Sequence, residues 1–313
     1  MSTWFRPAGL ASADGFDVVV TPENAGWGYS SLRVLTLPPG TSRTIATGPE
    51  EMLVVPLEGG LAVTVGDESF RLSGRESVFA GPTDFAYLPV GTSAVLSADA
   101  LPRAAANGAA ANGAAASGAA PAGGVGAVRV ALCGARTDRV LPFRYGPAED
   151  VPVELRGAGS ASRLVRNFGT VDAFETGALI ACEVLTPAGN WSSYPAHKHD
   201  EATPTESELE EIYYFEIGSG PAGEPGFGYH RTSSSDRGEI DVLAEVRDRD
   251  VALVPYGWHG PCIAAPGFDM YYLNVMAGPG AERAWLISDH PDHAWVRGTW
   301  TDQTIDPRLE GRR

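Results

Sequence analysis

Three short motifs occur twice, and in the same order, along this 313-residue chain. The first set is Leu37-Pro38-Pro39-Gly40, then Glu51-Met52-Leu53-Val54-Val55-Pro56-Leu57-Glu58-Gly59-Gly60, then Leu88-Pro89-Val90-Gly91-Thr92-Ser93. The second is Leu185-Thr186-Pro187-Ala188-Gly189, then Glu211-Ile212-Tyr213-Tyr214-Phe215-Glu216-Ile217-Gly218-Ser219-Gly220, then Val254-Pro255-Tyr256-Gly257-Trp258-His259. An ordered internal repeat marks a duplicated structural unit. Halves of about 150 residues are each long enough to bury a core of their own.

Short apolar or alternating runs at 31–37, 52–57, 61–65, 85–88, 179–185, 212–217, 251–254 and 270–276 read as strands between Gly- and Pro-rich turns. Helical periodicity is scarce, and only 205–211 reads as a single helical turn. The chain is therefore expected to be all-β, a β-sandwich or barrel architecture, and the repeat favours two barrels in succession. The expected units are 1–155 and 156–313, with the connection around 146–159. A low-complexity Ala/Gly/Asn stretch at 104–127 has no side chains to build a core and is expected to be a surface loop of the first barrel. Strand character resumes at 128–132, and the polar tail 301–313 is expected on the surface.

All six histidines lie between His197 and His293. The first copy thus has no imidazole to offer, and Ser93 stands where His259 stands in the second. In an extended strand His197 and His199 share a face. Glu211 and His259, on neighbouring strands, would complete a four-ligand site. Each of these residues alone has a plain structural explanation; together, and in this order, they predict a metal centre. Alternation admits only one of Glu210 and Glu211, and the Glu51 echo favours Glu211. Three imidazoles and a carboxylate suit zinc, iron(II), manganese or nickel and leave positions open for substrate. Such a site polarises oxygens as a Lewis acid. It does not choose between isomerisation, oxygenation, decarboxylation and binding.

A net charge of −16 argues against a nucleic-acid partner, which requires clustered Lys and Arg. No apolar run approaches the ~20 residues of a membrane span. Met1-Ser2-Thr3-Trp4-Phe5-Arg6-Pro7 lacks the features of a signal peptide, so a cytoplasmic location is expected. Cys133, Cys182 and Cys262, odd in number and far apart, suggest three unpaired thiols.

The His-x-His, Glu and Pro-Tyr-Gly-Trp-His motifs resemble those of a cupin barrel. The segment 156–296 further resembles the 5-deoxy-glucuronate isomerase family of myo-inositol catabolism, whose superfamily also holds 5-keto-4-deoxyuronate isomerase. The resemblance is carried by Arg156-Gly157 with Arg163, Ser193-Tyr194-Pro195-Ala196-His197-Lys198-His199-Asp200 and Leu209-Glu210-Glu211-Ile212-Tyr213-Tyr214-Phe215. It continues through Gly226-Phe227-Gly228-Tyr229-His230-Arg231, the Val254–His259 motif above, Tyr271-Tyr272-Leu273-Asn274-Val275-Met276-Ala277-Gly278-Pro279 and Pro291-Asp292-His293-Ala294-Trp295. The chain departs from the family pattern at the Ala/Gly/Asn insertion and at His230, where a glutamine is expected. The eleven residues between His199 and Glu211 favour the inositol branch.

The resemblance implies an aldose–ketose isomerisation of a small anionic sugar acid, 5-deoxy-D-glucuronate to 5-dehydro-2-deoxy-D-gluconate, assisted by one divalent metal. Zinc is the first expectation, with manganese or iron behind it. A possible homo-oligomer belongs to the same expectation. Proton transfer requires a base within reach, and His230, Glu216, Tyr272 and His293 are the candidates. A substrate carboxylate calls for a guanidinium; Arg231 is expected first, with Arg163 and Arg283 behind it. The competing readings are the sibling uronate isomerase, an iron(II) oxygenase and a non-catalytic sugar-binding cupin.

Overall fold

The computed structural model describes residues 3–98 and 126–312. The expected surface loop at 104–127 falls outside the described residues except for its last two positions. Among the described residues the chain is built from strands, with one four-residue α-helix (Pro22–Ala25) and short 3-10 turns.

In the first half, nine strands form a curled sheet around an interior of Leu35, Met52, Val54, Leu61, Val63 and their neighbours. One strand, Glu50–Val65, takes in both runs expected at 52–57 and 61–65. It bends at Gly59–Gly60, where its pairing with Glu68–Arg75 shifts register. A Cβ on Gly60 would meet the Ser73 carbonyl oxygen at 2.5 Å, so only glycine lets the two backbones approach there. The bend carries a single strand from one wall of the barrel to the other.

The second half has two large sheets and a two-stranded hairpin. The larger runs in the order Phe5–Arg6, Val251–Val254, Glu210–Ile217, Met270–Ala277, Ile180–Thr186, Arg163–Gly169, Val153–Arg156. The smaller joins Gly238–Val246, Gly228–Ser235, Trp258–Ala264, His197–Lys198 and Ser288–Asp289. Its edge strand Gly238–Val246 alternates buried and exposed residues, as a strand with one wet face must. Met270–Ala277 is buried throughout, because one face lines the barrel and the other meets the first half. The first strand of the chain, Phe5–Arg6, pairs with Val251–Val254, so the N-terminal end is sewn into the second barrel's sheet.

The two halves pack sheet to sheet. Leu53, Val55 and Tyr87 of the first meet Ile212, Tyr214 and Leu273 of the second in one continuous core. Two carboxylates lock this contact in mirrored fashion. Glu51 accepts hydrogen bonds from the backbone N–H groups of Gly177, Ala178 and Leu179 at 2.6, 2.6 and 2.8 Å. Glu210 accepts from those of Gly28, Tyr29 and Ser30 at 2.6, 2.9 and 2.9 Å. Each thus satisfies backbone donors at the entrance to a strand of the opposite barrel, Ile180–Thr186 for Glu51 and Ser30–Leu37 for Glu210. A buried ion network reinforces the seam: Arg75 of the first half and Arg166 of the second both pair with Glu183, at 2.8 and 2.9 Å.

The helical turn expected at 205–211 does not form. Glu206–Glu208 is a strand paired with Asp200–Thr203. The Glu206 side chain accepts from the backbone N–H of Asp200 and Glu201 and from Lys198 Nζ, which fixes an extended hairpin instead. No helix among the described residues is long and apolar enough to cross a membrane.

Candidate metal centre and substrate cavity

His197, His199 and His259 meet inside the second barrel, each with one ring nitrogen within 4.8 Å of the others'. The antiparallel register sets His197 directly opposite His259. Glu211 comes from the larger sheet, and its Oε2 lies 3.1 Å from Nε2 of both His199 and His259. All four side chains are buried.

The orientation of the imidazoles fits a cation. Each Nδ1 faces a backbone carbonyl that can only accept: His197 on Pro195 at 3.3 Å, His199 on Leu209 at 3.1 Å, His259 on Gly257 at 3.0 Å. The protons therefore sit on Nδ1, and the Nε2 lone pairs turn inward, as for metal-bound histidines. His259 Nε2 has no hydrogen-bond partner, although it is buried. Lone pairs converging on a carboxylate oxygen repel one another. A proton on His199 relieves one contact; a divalent cation relieves all of them. The electrostatics agree in direction. Burial holds His197 well below the usual histidine range, helped by the other two imidazoles. Burial would raise the Glu211 carboxyl, but His199 and His259 outweigh it and keep it ionised.

A further layer fixes the ligands in place. Asp200 Oδ2 accepts from Ser235 Oγ at 2.6 Å and from the Gly257 N–H at 2.8 Å, tying the His197–His199 segment to the turn that carries His259. Lys198 Nζ holds the other Asp200 oxygen at 2.7 Å. Gly257 has φ +101, and a Cβ there would stand 2.5 Å from the Ser233 carbonyl, so this turn requires glycine.

A cavity of about 180 Å³ opens from His197 and Glu211 along the inner face of the larger sheet. Tyr213, Asn274 and Tyr272 line it, and Arg156, Arg163 and Arg297 reach its walls. Arg156 is paired with Glu154, and Arg297 grips Asp289. Arg163 differs: its one hydrogen bond is to the Ala161 carbonyl, and among the described residues no carboxylate lies within ion-pair distance. Burial, with the neighbouring Arg156 and Arg297, pulls its pKa down to about 10. A buried guanidinium still charged at neutral pH calls for an anion.

The other sequence candidates divide. Tyr272 lines the cavity, and its hydroxyl lies 3.1 Å from Ser193 Oγ. His230 is inside the barrel but stands behind Tyr213, with a ring-centroid separation of 4.9 Å, bonded to Thr232. Burial holds its pKa at about 3. Four others lie away from the cavity wall. Glu216 shares the outward face of its strand with Glu210 and pairs with Arg129 at 2.9 Å across the barrel contact. Arg231 lies on the solvent side of its strand, against Asp241. Arg283 binds the carbonyls of Thr170 and Phe174, away from the cavity. His293 stacks on His290 at 4.6 Å and is not part of the cavity wall. The sequence reading missed Arg297, Asn274 and Trp285 as cavity residues; Asn274 sat in a quoted motif, but nothing in its type singled it out.

The structure also corrects the register of the repeat. Glu51 and Glu210 are the matching clamp residues, so Glu211 corresponds to Met52, not to Glu51. Met52 stands at the Glu211 position in the first barrel, where the interior is apolar, and Ser93 is exposed.

Fold and site together define a duplicated cupin with one histidine-lined centre, in its second barrel. The sequence model of the KduI/IolB family matches residues 4–128 and again 122–296, and the chain belongs to that family. The 5-deoxy-glucuronate isomerase of Geobacillus kaustophilus is 36% identical over 299 residues, covering 95% of this chain and 96% of that protein. Its namesake from Bacillus subtilis strain 168 is 36% identical over 296 residues, 93% of this chain and 97% of the other. The crystal structure of an IolB-like protein from Salmonella typhimurium LT2 superposes with a TM-score of 0.78 at 33% identity, over 94% of this chain and 99% of that one. Oxalate decarboxylase from Lactobacillus farciminis shares the fold, with a TM-score of 0.57 at 12% identity over 92% and 89% of the chains.

Proposed function

We propose that this protein is a sugar-acid aldose–ketose isomerase that converts 5-deoxy-D-glucuronate to 5-dehydro-2-deoxy-D-gluconate. The observation that carries the reading is one cavity with two ends: His197, His199, Glu211 and His259 at one, Arg163 without a carboxylate partner at the other. A uronic acid has matching ends, a carbonyl–hydroxyl pair at C1–C2 and a carboxylate at C6. The names of the relatives favour this acid within that class.

The four ligands would hold one divalent metal, zinc first among the ions that three imidazoles and a carboxylate suit, and it would supply Lewis acidity toward adjacent carbonyl and hydroxyl oxygens. Arg163 holds the carboxylate and fixes which carbons face the ligands. Tyr272 keeps its proton, because burial raises its pKa, and so serves as a donor to an oxygen that gains charge. Of the four candidates for proton transfer it alone lines the cavity. The reading extends to inositol breakdown in the cytoplasm, and three buried free cysteines fit a reducing compartment.

Proton NMR of the metal-loaded protein with 5-deoxy-glucuronate in deuterated water, with dissolved O2 monitored, tests the proposal. The aldehyde signal should give way to a ketose with no O2 consumed. Oxygen uptake, or a persistent aldehyde with metal in place, would overturn it.

A further inference from the structure

The inner face of the larger sheet orders the cavity residues, and that order carries information about the substrate. Pairing places Glu211 beside Met276 and, two residues along, Tyr213 beside Asn274. The next layer sets Tyr272 beside Val184, and Val184 beside Val165. Arg163, two residues before Val165, lies in the layer beyond, opposite Arg156. From the ligand end to the arginine end, the wall therefore runs from polar (Tyr213, Asn274) to apolar (Val184, Val165) to cationic (Arg163).

Two atoms on this path are orphaned. Asn274 is only 4% exposed, yet its Nδ2 has no partner, and its Oδ1 meets only the Cys182 thiol at 3.9 Å. Turning the amide over would only exchange the orphaned end. Trp285 Nε1, in the segment that also borders the cavity, is a second buried donor without a partner. Buried donors are rarely left unmade, because each loses its hydration with nothing in return. Here they lie where a polyhydroxylated chain would pass. The Val165 and Val184 side chains offer the opposite, with no donor or acceptor of their own; the one cavity-lining hydroxyl of their layer, that of Tyr272, is engaged with Ser193 Oγ.

We propose that Val165 and Val184 are specificity-determining residues that accept an unoxygenated carbon next to the substrate carboxylate, while Asn274 binds the hydroxyls between that carbon and the reacting end. This rests on the isomerase reading and deepens it. With C6 on Arg163 and C1–C2 at the histidines, the valines meet C5 and Asn274 meets the C3–C4 hydroxyls. The cavity then selects the 5-deoxy acid over D-glucuronate, whose 5-hydroxyl would be desolvated against two valines.

The test compares kcat/KM for 5-deoxy-glucuronate and D-glucuronate in the wild type, Val184→Thr, Val165→Thr and Asn274→Ala, with bound metal and circular dichroism recorded for each. An apolar pocket discriminates against an added hydroxyl by about 100-fold, and this is the preference expected of the wild type. Either threonine should narrow the ratio by about tenfold, through faster turnover of glucuronate. Asn274→Ala should slow both sugars by about 10- to 100-fold and leave their ratio and the metal content unchanged. Equal use of both sugars by the wild type would overturn the assignment alone, as would a ratio unmoved in whichever threonine variant folds. No turnover of either sugar would overturn the isomerase reading, and the assignment with it.

Discussion

At the scale of single residues, the centre rests on what each histidine's second nitrogen does. Carbonyls of Pro195, Leu209 and Gly257 fix the Nδ1 protons, and this turns three Nε2 lone pairs toward one point. His259 has the most exacting place, since its Nε2 faces Glu211 without hydrogen-bond geometry. His259→Ala is expected to lose bound metal and with it activity, by 100-fold or more on the ~several kcal/mol a Lewis acid contributes. The fold should persist, because the barrel's apolar interior does not include the imidazole. Metal analysis and circular dichroism of the purified variant check this; stoichiometric metal in a folded His259→Ala protein would remove His259 from the ligand set. The histidine pattern was legible in the sequence because spacing alone puts His197 and His199 on one face. The cavity arginine without a counter-ion was not. The sequence put Arg231 ahead of Arg163, and only the pairing of strands shows that the first faces Asp241 and solvent while the second is buried without a carboxylate partner.

At the scale of the strand, alternation divides the work of two adjacent carboxylates. Glu211 turns inward to the histidines; Glu210 turns outward and satisfies three backbone donors of the other barrel. Glu210→Ala should therefore keep its metal and lose stability, by roughly 3 kcal/mol or more given three stranded N–H groups. Glu211→Ala should do the reverse, losing metal with little change in the metal-free protein's unfolding midpoint. Urea titrations with and without chelator, alongside metal analysis, separate the two, and exchanged phenotypes would mean that the strand's register is misassigned. The sequence favoured Glu211 through its echo of Glu51, yet Glu51 is the counterpart of Glu210. Motif similarity cannot detect a one-residue slip between two adjacent acids, though such a slip reverses the face. The same limit explains Glu216: five residues after Glu211 on a strand, it must point the other way. The strands with apolar runs between Gly/Pro turns were legible, whereas polar, half-exposed strands such as Ser42–Ala46, Gly228–Ser235 and Gly238–Val246 carried no such run. Two further differences are the 205–211 turn, where side-chain bonds of Glu206 hold an extended hairpin, and the long Glu50–Val65 strand, which two glycines bend without breaking.

At the scale of the molecule, the first barrel has no ligands but supplies half of the continuous core and one arm of the buried ion network. Glu183, on a strand of the cavity sheet, binds Arg75 from the first barrel, Arg166 from its own and the Tyr271 hydroxyl. Burial alone would raise its pKa, but the two guanidinium groups outweigh this and bring it down to about 2. A carboxyl that is more acidic when folded than the ordinary 4.5 stabilises the fold fully above pH 4.5. That contribution fades as pH falls from 4.5 through 2, and a shift of this size corresponds to about 3 kcal/mol. Glu183→Gln leaves two buried guanidinium groups uncompensated and should cost roughly 3–5 kcal/mol at pH 7. Urea unfolding of wild type and variant across a pH series should show that gap narrowing below pH 4.5, by about 2 kcal/mol at pH 3. A gap constant from pH 7 to 3 would mean that Glu183 is not ionised against the arginines. Because the network and the shared core both cross the seam, each protein should unfold in one transition, and the loss of the network should loosen the cavity sheet together with the barrel that braces it.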